Sequence, residues 1–134
     1  MAVAGLDHVN IVVTDLARTI GFYERLLGLT QFDHPMFNRP DPVAAWLCDR
    51  EGRPVLHVQK YDPARHARHA PVAPPTTGAV DHVAFRCEDF DSMCAHLDGI
   101  GEAYRTFEFP EANVKQILLT DPDNVELELN FMAG

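Results

Sequence analysis

The sequence predicts an α+β fold built from two copies of a βαβββ unit, and three observations lead there. The first is an internal repeat. Residues 6–16 read LDHVNIVVTDL and residues 80–90 read VDHVAFRCEDF. Asp7, His8, Val9 and Asp15 recur 74 residues later, at Asp81, His82, Val83 and Asp89, and self-similarity at a fixed spacing marks a duplicated structural unit. The second is strict alternation where each copy opens. Val9, Ile11 and Val13 share one face against His8, Asn10 and Val12, and Val83, Phe85 and Cys87 oppose His82, Ala84 and Arg86. A period of two is the mark of a half-buried strand. The third is the stripe that follows each strand. Leu16, Ile20, Tyr23 and Leu27 lie along one side of a helix, as do Phe90, Met93, Cys94, Leu97 and Ile100.

The ends of these elements are equally readable. Thr14 or Asp15 suits the start of the first helix, and Gly28 suits a left-handed stop. Gly99 and Gly101 mark the end of the second helix. Three further strands complete each copy, expected near Thr30–Phe32, Ala44–Cys48 and Pro54–Tyr61, then near Ala103–Phe109, Val114–Thr120 and Val125–Phe131. Asp121-Pro122-Asp123-Asn124 is a turn, with Asn124 able to take the left-handed conformation. Between the copies, residues 62–79 contain Pro63, Pro71, Pro74 and Pro75 and read as a linker. The expected organisation is therefore a single domain over 1–134, with modules at about 5–61 and 80–131. His66 and His69 form an H-x-x-H inside the linker and are read as solvated.

Composition limits the function. At 134 residues and 46% hydrophobic, the chain can bury roughly 70% of its unfolded surface. A formal net charge of -9 repels phosphate backbones, so no nucleic-acid partner is expected. No apolar run approaches the ~20 residues that cross a bilayer, and residues 1–6 lack the charged and apolar regions of a signal peptide. A cytoplasmic location with no membrane partner follows as the expectation. Cys48, Cys87 and Cys94 are an odd number without C-x-x-C spacing, which argues against a disulfide framework or zinc finger; they are read as small apolar residues.

Chemistry concentrates on the strand faces turned away from the helices. In the last strand Val125, Leu127 and Leu129 share one face, leaving Glu126, Glu128 and Asn130 on the other. In the last strand of the first copy Leu56 and Val58 oppose Val55, His57 and Gln59. Each copy thus offers two polar strand residues on the face away from its helix, a concave interior if the sheet curls: His8 and His57, then His82 and Glu128. Imidazoles and a carboxylate suit one divalent ion of zinc, nickel, cobalt, manganese or iron(II). Three fixed ligands leave positions open for water or substrate. The plain alternative is a set of satisfied polar groups on a half-exposed sheet.

The motifs DHVNIVVTDL with FYERLLGL, the second DHVAF, and DPDNVELELNF resemble the vicinal oxygen chelate superfamily, which includes glyoxalase I, over roughly Gly5 to Phe131. The resemblance implies paired βαβββ modules forming a curled, cup-shaped mixed sheet around a metal, with helices outside. It matches His8 and His82 to the first-strand histidines and Glu128 to the last-strand glutamate. The remaining ligand position, usually Glu or Gln in glyoxalase I, falls on His57, as ligand or acid–base group. Relatives usually carry Gly where this chain has Asn124.

That resemblance implies a glyoxalase-I-like lyase or isomerase acting on a small substrate with vicinal oxygens through a metal-stabilised enediolate. Glu128 or His57 moves the proton. One alternative is an iron(II) extradiol dioxygenase. Against it, Leu118 stands where that group has Tyr, and Phe109–Glu111 lacks its His. Another is a metal-free antibiotic-binding protein, a class that generally lacks the ligands retained here. Thiol transferases of the fosfomycin-resistance type share the ligand set, but no lysine-rich phosphonate pocket is readable. Asn10, Arg86, Gln59, Arg105 and Gln116 are expected to line the cup, with Arg86 receiving an anionic substrate group. Trp46 and Phe107 are read as core, with lining the cup as the alternative. A homodimer is expected, because relatives pair modules within a chain or across a dimer.

Overall fold

The computed structural model describes residues 1–32, 42–67, 77–78 and 80–132. The chain divides into two compact units, residues 1–72 and 73–134, and the boundary falls in the proline-rich stretch. In the first, β1 (Val9–Val13) leads into α1 (Leu16–Leu27), β2 (Thr30–Gln31), β3 (Ala44–Cys48) and β4 (Pro54–Lys60). In the second, β5 (His82–Cys87) leads into α2 (Phe90–Ile100), β6 (Arg105–Phe109), β7 (Val114–Thr120) and β8 (Glu126–Met132). The strand orders are β1-β4-β3-β2 and β5-β8-β7-β6. In both sheets the first strand pairs parallel with the last, and the remaining pairs are antiparallel. The α+β class and the duplicated βαβββ unit are therefore as the sequence predicts.

The repeated aspartates do the same job twice. Asp15 accepts from the Arg18 backbone N–H at the start of α1, and Asp89 accepts from that of Ser92 at the start of α2. Each cap satisfies one of the orphan donors at a helix N-terminus. Gly28 and Gly101 close the two helices at φ 65° and 75°; Gly99 lies inside α2 and does not end it. β3 and β7 have the expected limits, and the limits of β2, β4, β6 and β8 differ by one or two residues. β2 stops at Gln31, although the Phe32 N–H still donates to Trp46 O at 2.8 Å, and Tyr61 N–H likewise reaches Val13 O past the end of β4. Such ends depend on where the ladder is judged to stop.

The core follows from the alternation. Ile11, Val13, Leu47, Leu56 and Val58 are buried with Leu16, Phe22, Tyr23 and Leu26 of α1. In the second unit Ile117, Leu119, Leu127, Leu129 and Phe131 are buried with Leu97 of α2. Phe90 meets Phe131 edge to face at 5.4 Å, which ties the start of α2 to β8. Of the three cysteines, all free, Cys48 is buried; burial pushes the Cys87 thiol up to about 11, so it is inert at neutral pH. No helix among the described residues is long and apolar enough to cross a membrane. His66 is described and accepts at Nδ1 from the Asp62 N–H at 3.0 Å; its H-x-x-H partner, His69, lies outside the described residues.

The turn before β8 controls what that strand presents. Asp121 is buried, and its Oδ1 accepts from the backbone N–H groups of Asp123 and Val125, each at 2.9 Å. Asn124 takes φ 66°, the left-handed conformation that glycine or asparagine tolerates. Replacing Asp121 by Ala leaves those donors without a charged acceptor. Asp121→Ala is expected to lower unfolding stability by about 1–3 kcal/mol, read as a lower urea midpoint than the parent chain, with Asn124→Gly close to neutral as the control.

Candidate metal and substrate site

In the first unit a row of side chains crosses the sheet. Asn10 of β1 is opposite His57 of β4, and His57 is opposite Trp46 of β3. The His57 ring lies flush on the Trp46 indole, with centroids 4.1 Å apart and planes 3° from parallel. His8 meets the same indole edge-on at 4.6 Å and stands 6.2 Å from the His57 ring. Asn10 Nδ2 donates to Gln59 Oε1 at 3.0 Å and stands 3.1 Å from His57 Nδ1. On its other side, His8 Nδ1 faces Asp7 Oδ2 at 2.6 Å.

The second unit repeats the frame with different chemistry. Ala84 is opposite Glu128, the register that places Asn10 opposite His57 in the first unit. Glu128 Oε1 accepts from Gln116 Nε2 at 2.9 Å and from Asn130 Nδ2 at 2.8 Å. Its Oε2 stands 3.3 Å from His82 Nε2. His82 Nδ1 faces Asp81 Oδ2 at 2.8 Å, just as His8 faces Asp7. A carboxylate can only accept, so Nδ1 of both histidines carries the proton and Nε2 presents the nitrogen that a metal takes.

The donor chemistry fits an ion. Two ligands ~2.1 Å from one metal, at right-angled or tetrahedral positions, stand ~3.0–3.4 Å apart, which spans the His82–Glu128 separation. Among the described residues, three or more His, Cys, Asp or Glu donors are nowhere gathered in one group. By itself each unit brings together a pair, His8 with His57 and His82 with Glu128.

The other expected residues divide. Asn10, Gln59 and Gln116 are bound into these networks. Arg86 is exposed on the face of β5 that carries His82, opposite Asn130. Arg105 lies on the Glu128 face of its sheet, in line with Leu118 and Glu128, where its Nη2 is 3.5 Å from Glu126 Oε1 and its guanidinium lies over Phe107. Trp46 and Phe107 are not core. Trp46 is half-buried at the site, and Phe107 is exposed. Alternation contained the signal for Trp46, since Ala45 and Leu47 on either side are buried. The bracing role of Asn130 and the orienting roles of Asp7 and Asp81 were also missed. The aspartates were visible as an acid placed directly before each repeated histidine.

Titration separates two of the histidines. Burial holds His57 below the ordinary histidine value of 6.5, with the His8 and Arg65 charges adding to it. Hydrogen bonding to Asp81 raises His82 above that value, helped by Glu128 and Glu126. The linkage signs oppose. What His82 contributes to stability is fully present below 6.5 and is lost as pH rises through its folded value; protonation of His57 works against the fold as pH falls below 6.5. Global stability therefore averages the two. An NMR titration of the ring protons should place His57 below 6.5 and His82 above it, and Asp81→Asn should move His82 down while leaving His57 in place.

A protein-family model described as the Glyoxalase/Bleomycin resistance protein/Dioxygenase superfamily matches residues 5–129. Lactoylglutathione lyase of Schizosaccharomyces pombe is 24% identical over 96% of this chain and 48% of its own length; the chain spans about half of that relative. Glutathione transferase FosA of Serratia marcescens is 27% identical over 93% of this chain and 79% of its own length. A mutant of the fosfomycin resistance protein FosX from Listeria monocytogenes, solved with manganese(II) and dihydroxypropylphosphonic acid, superposes with a TM-score of 0.70 at 14% identity, over 98% of this chain and 95% of that one. That likeness carries the fold alone. Motif, repeat, strand order and family match agree, and the chain belongs to the glyoxalase/bleomycin resistance/dioxygenase superfamily.

Proposed function

We propose that the chain is a divalent-metal-dependent enzyme of the glyoxalase I type, a lyase or isomerase that moves a proton next to a carbonyl in a small substrate with two vicinal oxygens. His8, His82 and Glu128 are the ligands. The observation that carries this reading is the twofold occurrence of a histidine oriented by its own aspartate, together with a glutamate braced by Gln116 and Asn130 so that one oxygen is left facing His82. Zinc, nickel, cobalt, manganese or iron(II), when bound, would supply a Lewis acid to the substrate oxygens.

The protein's own groups account for the rest. Glu128 combines an anchored oxygen with one available to take a proton, and geometry of this kind costs little reorganisation during the reaction. His57 is the second catalytic group, beside His8 on the same face of the first unit. Arg86, in an acidic chain, offers an anion a local partner on the His82 face. The ring-cleaving alternative is disfavoured by Leu118, which lies directly opposite Glu128 on β7 and has no polar group to offer an oxygen adduct. A fosfomycin-type transferase is the second reading, favoured by the fuller span over which FosA matches.

A homodimer fits the exposure of Phe107 and Phe109 on the edge strand β6 and of Met132 on β8, apolar surface that a second copy can cover. Sedimentation at micromolar concentration should give twice the chain mass; a monomer refutes this.

Metal analysis and substrate competition test the reaction. Apo-protein loaded separately with the five ions should isomerise a dicarbonyl–thiol hemithioacetal under nitrogen. Turnover of fosfomycin with a thiol and none of the hemithioacetal would select the second reading; iron-specific oxygen uptake with a catechol would overturn both. Losing a residue that merely orients a ligand costs ~10–100-fold in metal affinity. His82→Ala is therefore expected to lose at least ~10-fold, and full metal occupancy in that variant would remove His82 from the ligand set.

A further inference from the structure

We propose that His57 is a hydrogen-bond donor to a substrate oxygen through Nε2–H, held in that tautomer by Asn10 and Trp46, and is not a metal ligand. The donor role rests on the reaction proposed above; the tautomer rests on geometry alone.

The histidines on these faces have opposite partners. Nδ1 of His8 and of His82 faces a carboxylate, which has only lone pairs to offer. Nδ1 of His57 faces Asn10 Nδ2, which has only protons to offer. The first arrangement places the proton on Nδ1 and the lone pair on Nε2. The second places the lone pair on Nδ1 and the proton on Nε2. A ring with a proton on Nε2 cannot ligate through that nitrogen, but it can donate there.

The orientation of the Asn10 amide has a second determinant. Its Nδ2 also donates to Gln59 Oε1 at 3.0 Å, so the two protons of one amino group serve two acceptors. The register supports this, with Asn10 opposite His57 and Val12 opposite Gln59 on adjacent parallel strands. Trp46 fixes the ring plane. Turning the ring over within the stack would exchange Nδ1 for a carbon and leave Asn10 without its acceptor.

Comparison with the second unit gives this a purpose. Glu128 occupies the equivalent position, opposite Ala84, where no side chain donates across the strand pair. Its bracing comes from Gln116 and Asn130 instead, and it keeps an anionic oxygen. The first unit thus presents an N–H at the position where the second presents a carboxylate. Proton transfer beside a carbonyl builds negative charge on the oxygen, and a preplaced donor stabilises it.

Long-range 1H–15N correlation spectra of 15N-histidine-labelled protein test the assignment, with His57→Gln identifying the signals. His57 should show a pyridine-type Nδ1 and a pyrrole-type Nε2 before and after zinc loading, while Nε2 of His8 and His82 shifts on zinc. Oxalate, which presents vicinal oxygens, should then move the His57 Nε2–H resonance of the zinc form. Asn10→Asp should reverse the His57 tautomer, leave zinc content unchanged, and lower kcat ~10–100-fold with KM little altered. His57→Gln, which keeps an N–H donor, should retain more activity than His57→Ala. A pyridine-type Nε2 in the parent protein, which needs both amides turned over, would overturn the proposal. So would a zinc-dependent shift of His57 Nε2, or no response to oxalate. The tautomer is read without turnover, so its failure is distinguishable from failure of the proposed reaction.

Discussion

In each unit the first strand runs parallel to the last, and that pairing sets His57 against Asn10 and Glu128 against Ala84. Side chains alternate across a sheet, so a slip of one residue would exchange the polar face for the core face. The cost of such a slip is high here. It would expose Leu56 and Val58, or Leu127 and Leu129, and bury histidine or glutamate in their place. The hydrophobic residues therefore position the polar ones. Buried leucine and valine on one face of β4 and β8 fix His57 and Glu128 on the other. The Asp121 turn helps set where β8 begins.

Much of this was legible because the chain states its pattern twice. A single alternating stretch leaves strand limits and faces open, but two copies 74 residues apart constrain each other. The paired positions of His57 and Glu128 were visible in that comparison before any register was known. Side-chain partners were less accessible. Trp46 is not core, since its buried neighbours Ala45 and Leu47 require it to face the other way. Arg105 lies on an exposed edge strand and meets Glu126, a cross-strand choice that alternation cannot specify. The Asp–His contacts join neighbours in sequence, yet nothing in the pattern says whether an aspartate folds back to a ring or extends into water.

Duplication conserved the frame while the chemistry on it diverged. The aspartate caps of both helices and the aspartate–histidine pairs of both first strands occur at matched positions. Across from them the units differ. One has histidine beside an asparagine and on a tryptophan; the other has glutamate held by glutamine and asparagine.

The stack of His57 on Trp46 has a consequence for observation as well as for chemistry. The chain contains one tryptophan, and it lies against the histidine whose protonation and hydrogen bonding matter most. Light absorbed selectively by indole therefore interrogates a single location, with no background from elsewhere in the molecule. The first module carries its own optical probe, and the second has no indole.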